Sequence, residues 1–190
     1  MKTKILELST VILLFAFITA GCQKDDIFEL NIGDKNAIIQ QEVNGIEFKF
    51  CLLNEQGEPA TVFNKGENFT FQFVIKNKTG ESLTFFDYSF YEDADFFSVY
   101  NRTQNFGRPF EIIPGFLSNE ARYIFNNMSS SFISPWQDNR SRFDAMYGSF
   151  KGLNKMTLDN GKYVTSFTHN FHLGDIYTGK LIFKINFEIK

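Results

Sequence analysis

The chain lacks most of what would lock a fold covalently or equip it for catalysis. Its 190 residues include two cysteines, two histidines, one tryptophan and four prolines. Two cysteines exclude a disulfide-dense scaffold and a four-cysteine zinc site. No G-x-S-x-G elbow and no glycine-rich phosphate loop occurs. Cations are not in excess: the net charge is −3, so the electrostatic footprint of a nucleic-acid binder is missing. The histidines, His169 and His172, stand three positions apart, and on an extended strand they project from opposite faces. They are read as packed or surface side chains, and no metal or other cofactor is expected. No apolar run reaches the about 20 residues of a bilayer-crossing helix.

What is present begins with an address. Lys2 and Lys4 precede an apolar run over residues 11–20 (VILLFAFITA), and the small residues Ala20 and Gly21 follow. This is the three-part pattern of a secretory signal, assigned to residues 1–21. Ala20-Gly21-Cys22 resembles the lipobox of bacterial lipoproteins, with Thr19 where that motif carries Leu, Ile or Val. The resemblance implies that Cys22 becomes the acylated first residue of the mature chain. Two or more acyl chains hold a protein on a membrane where one does so only marginally. Gln23-Lys24-Asp25-Asp26 resembles the lysine-plus-two-acids export signal of Bacteroidetes lipoproteins. It implies a protein anchored in the outer membrane and facing outward, with Lys24, Asp25 and Asp26 as the signal. Residues 22–36 then read as the lipidated cysteine and a polar tether, although Ile27, Phe28, Leu30 and Ile32 leave an edge strand open. Residues 37–190 read as one domain. With Cys22 acylated, Cys51 has no disulfide partner.

Phenylalanine is abundant. Two of the 25, Phe15 and Phe17, lie in the leader, which leaves 23 in the mature chain. Phe suits pleated, half-buried surfaces and brings a large apolar area per residue, so an all-β fold with an aromatic core is expected. Residues 37–43 and 46–53 flank Asn44-Gly45, the signature of a type I′ hairpin. In the second arm Ile46, Phe48, Phe50 and Leu52 share one face, while Cys51 falls on the other as a small packed residue. Residues 69–77 alternate with period two, Phe69, Phe71, Phe73 and Ile75 inward. Further strands are predicted at 62–63, 82–88, 96–100, 110–113, 122–125, 163–173 and 180–190, with a loop over 174–179. The serines at 129–131 and Ser134-Pro135 mark a long connection. Phe143, Met146, Tyr147 and Phe150 stand at helical spacing, predicting a short helix over 140–150. The strand density predicts a single immunoglobulin-like antiparallel β-sandwich.

Residues 52–71 (LLNEQGEPATVFNKGENFTF), together with Gly161-Lys162-Tyr163 and Phe183-Lys184-Ile185-Asn186-Phe187, resemble a group of uncharacterised small surface lipoproteins of Bacteroides and relatives. The resemblance implies a sandwich on a lipid tether and carries no established activity. The Phe-Asn-Lys-Gly-Glu turn before a strand ending in Asn77-Lys78-Thr79 is also similar to immunoglobulin-like bacterial domains, including BsuPI-type proteinase inhibitors.

No catalytic residue is assigned. Asp93 and Asp95 read as an exposed acidic loop. The sequons at Asn68, Asn77, Asn101, Asn127 and Asn139 are discounted in a bacterial lipoprotein. The candidate binding patch is Ser134-Pro135-Trp136-Gln137-Asp138-Asn139-Arg140, in which Trp136, Asp138, Asn139 and Arg140 combine an aromatic face with planar polar groups; Tyr100 and Arg102 could join it. The expected function is a non-enzymatic surface lipoprotein binding a glycan or protein partner. The alternatives are an accessory subunit of an outer-membrane complex and a proteinase-inhibitor-like domain.

Overall fold

The computed structural model describes residues 26–85, 93–113, 121–140, 146–147 and 150–190. Cys22, Lys24 and Asp25 lie outside them. The described residues form strands and no helix. β1 (Asp26–Leu30) lies in the stretch read as a tether, so the edge-strand alternative holds there. β2 (Ile39–Val43) and β3 (Ile46–Leu53) make the expected hairpin, with Asn44 at φ 52° and Gly45 at φ 77° as a type I′ turn requires. β4 (Val62–Phe63), β5 (Thr70–Asn77) and β6 (Leu83–Phe85) follow. The irregular middle supplies β7 (Val99–Tyr100), β8 (Asn105–Gly107), β9 (Phe110–Ile112), β10 (Arg122–Ile124), β11 (Ser129–Pro135), β12 (Met146–Tyr147) and β13 (Phe150–Gly152). β14 (Gly161–Leu173) and β15 (Ile176–Ile189) close the chain as a long hairpin.

Two larger sheets result. The first has the order β1-β15-β14-β7-β8, with β4 also on β15; the second has the order β11-β5-β3-β2. β1 and β4 both run parallel to β15, opposite 181–185 and 188–189. The remaining pairs in these sheets are antiparallel. Two small sheets, β10-β6 and β12-β13-β9, complete the set.

The larger sheets face each other through phenylalanine. Alternation buries Ile46, Phe48, Phe50 and Leu52 from β3, Phe71, Phe73 and Ile75 from β5, and Leu181, Phe183, Ile185 and Phe187 from β15. Rings meet across the interface: Phe48 and Phe73 lie 5.9 and 5.3 Å from Phe183, and Phe50 and Phe73 lie 5.4 and 5.3 Å from Phe167. Each buried Phe contributes about 1.5–3 kcal/mol by transfer, and each well-placed ring pair about 0.5–1.5 more.

Four sequence expectations are corrected. Residues 129–135 are the strand β11, in register with β5 from Ser129↔Lys76 to Pro135↔Thr70; its serines hide an alternation in which only Phe132 and Ser134 turn inward and are buried. The helix over 140–150 is not formed in its described part, where Met146–Tyr147 and Phe150–Gly152 pair as strands and Phe150 packs on Phe110. The strand at 96–100 shrinks to Val99–Tyr100, because residues 94–97 form a turn. In a strand Phe96 and Phe97 would point to opposite faces. Here both are buried and stack at 4.1 Å, with Phe97 at φ 64°. Burying a second ring, about 2–3 kcal/mol, exceeds the roughly 1–2 kcal/mol of the left-handed backbone. Finally, the loop 174–179 is only a turn, since β15 starts at Ile176.

Phe73 touches rings of both sheets. Phe73→Ala is therefore expected to lower unfolding free energy by about 3–5 kcal/mol, whereas Phe125→Ala, at an exposed site, changes it by about 0.5 kcal/mol or less. Urea denaturation compares the two, and similar losses would contradict the core assignment.

Candidate functional site

The loop after β11 brings Asp138 and Arg140 together but turns Trp136 inward. Trp136 is 2% exposed, its ring stacks on Phe69 at 5.7 Å, and Nε1 donates to the Met156 carbonyl at 2.9 Å. Its indole is thus not presented to solvent as a platform for a sugar. Gln137 holds the loop from two sides: its backbone N–H donates to Asn68 Oδ1 (2.8 Å), its carbonyl accepts from Asn68 Nδ2 (2.8 Å), and its side chain donates to the Lys155 carbonyl (2.9 Å). Asp138 is buried and accepts from Arg140 Nε and an Arg140 terminal nitrogen at 2.8 and 2.6 Å. The Arg140 guanidinium holds that carboxyl below the usual carboxylate range against the opposing effect of burial. A Cβ on Gly152 would stand 2.2 Å from Asp138 Oδ2, so glycine is required there. Asn139 alone of the four candidates is an exposed side chain with no hydrogen bond to the rest of the described chain. The geometry makes this loop an anchor at one end of the facing sheets.

Cys51 and the two histidines have defined surroundings. Cys51 is buried and its thiol is pushed up to about 11 by burial, which leaves it without nucleophilic thiolate near neutral pH. A bulge between Asn170 and His172 interrupts the β14–β15 register. Even so, His169 lies edge-on to Phe171 at 4.7 Å while exposed His172 rests on Tyr177 at 4.6 Å. Among the described residues no group of three or more His, Cys, Asp or Glu is placed to hold a metal. The Asn77 sequon is closed for a structural reason: Asn77 is fully buried, and its Nδ2 donates to Glu81 and Ile124 carbonyls at 2.6 and 2.8 Å.

An open groove of about 940 Å³ lies on the outer face of the first sheet. The register lines up Tyr100 of β7, Val164 of β14 and Asn186 of β15. Asn186 Nδ2 bonds Glu29 Oε1, the Leu30 carbonyl and Asn31 Oδ1 (2.8, 3.1 and 3.3 Å), fastening the β1 end to this row. At the other rim, Asn101 Oδ1 accepts from Thr103 N–H, Thr103 Oγ1 and Gln104 N–H (2.9, 3.0 and 2.8 Å). That cap fixes the β7–β8 turn and carries Arg102 at its tip. Exposed Lys162 also lines the groove. Neither cation has an ion-pair partner among the described residues. The Tyr100 hydroxyl donates to Asp95, and burial followed by that bond pushes its pKa up to about 12, so the ring stays neutral. The sequence assigns Asn31, Thr103, Lys162 and Asn186 no binding role; it offers Tyr100 and Arg102, but beside Trp136 rather than here.

His169 generates a pH prediction. Burial, then the nearby His172, pulls its pKa from 6.5 to about 4. Between these values the unfolded chain binds a proton that the folded one refuses, so stability falls as pH drops from about 6.5 to about 4, by up to about 3 kcal/mol. Glu47, held at about 2 chiefly by Lys78, loses its contribution lower, between 4.5 and 2. His169→Gln is expected to flatten the upper window and leave the lower one, read from urea midpoints at several pH values; an unchanged upper slope would contradict the assignment.

Compared with known proteins, the chain matches no family model, no curated protein and no solved structure.

Proposed function

We propose that this chain is a non-enzymatic surface lipoprotein of the bacterial outer membrane, anchored through acylated Cys22, whose immunoglobulin-like sandwich binds a glycan in the groove between Tyr100, Arg102, Lys162 and Asn186. The groove is the observation that carries the reading. Its walls offer amides, a hydroxyl and a neutral phenol, the groups that exchange hydrogen bonds with sugar hydroxyls. Its two cations favour a sugar bearing a carboxylate or sulfate, since charge-assisted bonds are about twice as strong as neutral ones. Among the described residues that line it there is no carboxylate. Two facing sheets of mainly antiparallel strands suit the immunoglobulin-like reading, and the sequence around Cys22 supports the anchor.

A glycan array probed with the folded domain tests this. Binding is expected to concentrate on acidic glycans and to fall about tenfold or more in Arg102→Ala and in Lys162→Ala, each loss corresponding to about 1.4 kcal/mol or more. Both side chains are on the surface, so the thermal midpoints should stay at the wild-type value. Absence of glycan binding, or binding untouched by both substitutions, sinks the reading.

A further inference from the structure

One end of the sandwich is built from turns tied to one another. Asn44 Nδ2 donates to the Tyr177 carbonyl (3.1 Å), and Lys78 N–H donates to the Gly45 carbonyl (2.9 Å). Gly174 N–H donates to the Thr84 carbonyl (2.7 Å), and Gly80 N–H to Asn126 Oδ1 (3.2 Å). Asn77 joins them from inside, its backbone pairing with Asn127 and Met128. The turns 44–45, 78–81, 125–128 and 174–177 therefore share one end face. This face and its margin carry four large side chains in water: Tyr123 at 63% exposure, Phe125 at 60%, Met128 at 59% and Tyr177 at 48%. Charges of both signs border it: Glu81 and Asp175 lie among these turns, and Lys78 is ion-paired with Glu42 and Glu47 at 2.9 and 2.7 Å.

The first strand begins on the side of this face and runs away from it. β1 is parallel to β15 and starts with Asp26 opposite Leu181, and β15 leaves the end face at Ile176. From the level of Leu181 to Ile176 is about 17 Å at the rise of a strand. Four peptide units separate Cys22 from Asp26, and fully extended they span at most about 14 Å. Cys22 therefore cannot stand clear of the end face by more than the reach of its own acylated side chain. The groove lies toward the other end, with Lys162 near the start of β14 and Asn186 near the end of β15.

We propose that the end face formed by Phe125, Met128 and Tyr177, with Tyr123 at its margin, rests in the headgroup region of the membrane that holds Cys22. This rests on the anchor proposed above. Apolar and aromatic side chains on a mixed-charge surface suit a lipid–water interface, where an aromatic ring with a polar tip is at home. A second membrane contact beside the acyl chains also fixes orientation, so the groove is held away from the bilayer.

The test uses full-length protein purified from membranes of the producing cell, with the Cys22 acyl group checked by mass, and reconstituted in phosphatidylethanolamine–phosphatidylglycerol vesicles containing brominated acyl chains. Phe125→Trp and Tyr177→Trp report the end face. Met156→Trp, at an exposed residue beside Trp136, reports the far end, and buried Trp136 is the reference in every variant. Both end-face probes are expected to lose about half or more of their added emission to bromolipid, with the far probe and Trp136 unaffected. An acylated protein whose end-face probes are quenched no more than Met156→Trp overturns the membrane contact and leaves the anchor standing. A chain without acyl at Cys22 overturns the anchor and the contact together. Shielding of the end-face probes from an aqueous quencher without bromolipid quenching overturns the contact in favour of a protein neighbour.

Discussion

The packing of Phe73 against Phe183 and Phe167 joins the two larger sheets. Phe73 belongs to β5, the strand between β3 and β11, and its ring also meets Phe48, Phe50, Phe96, Phe132 and Phe171. Phe183 sits on β15, between β1 and β14. Edge-to-face contacts such as Phe73–Phe183, at 76°, set the positive rim of one ring against the negative face of another. The interface therefore restricts geometry as well as removing apolar surface from water. Phe97 shows how strongly this seam competes: a bulky residue takes a left-handed backbone to place its ring between Phe50 and Phe71.

The two ends of the facing sheets differ because the seam leaves them different work. At one end Asn77 spends its side chain on the Glu81 and Ile124 carbonyls and on Thr79, organising turns whose apolar residues remain in water. At the other end the Trp136 loop is closed by hydrogen bonds to Asn68, Lys155 and Met156, and its polar groups are largely consumed by the protein. In the groove Asn186, Asn101, Thr103 and Tyr100 also bond within the chain, and the Asn101 cap leaves Arg102 exposed at the turn. The polar concavity toward one end and the exposed apolar side chains at the other are the features on which the proposed glycan site and membrane contact rest.

Strands whose pattern is written locally were legible from sequence. Residues 46–53, 69–77 and 181–189 alternate bulky apolar with polar side chains, and no helix-period pattern competes there. β11 was not legible because its serines have little strand propensity; the seven-residue ladder to β5 imposes its conformation. The apolar spacing at 143, 146, 147 and 150 fits a helix equally well, and the decisive constraint, the close approach of Gly152 to Asp138, joins residues 14 positions apart. Trp136 is read from sequence as part of a binding patch and is buried in the structure, because composition around an indole does not say which way it points. The groove was hardest to foresee: Asn31, Tyr100, Arg102, Lys162 and Asn186 come from remote segments that only the sheet order brings together.

If the phenylalanine seam couples the sheets, they unfold as one unit. Native-state hydrogen exchange measures this directly, by comparing opening free energies for the slowest amides of β5 and β3 with those of β14 and β15. Equal values matching the global unfolding free energy are predicted. A sheet whose slowest amides exchange at a clearly lower free energy than those of the other would contradict the account.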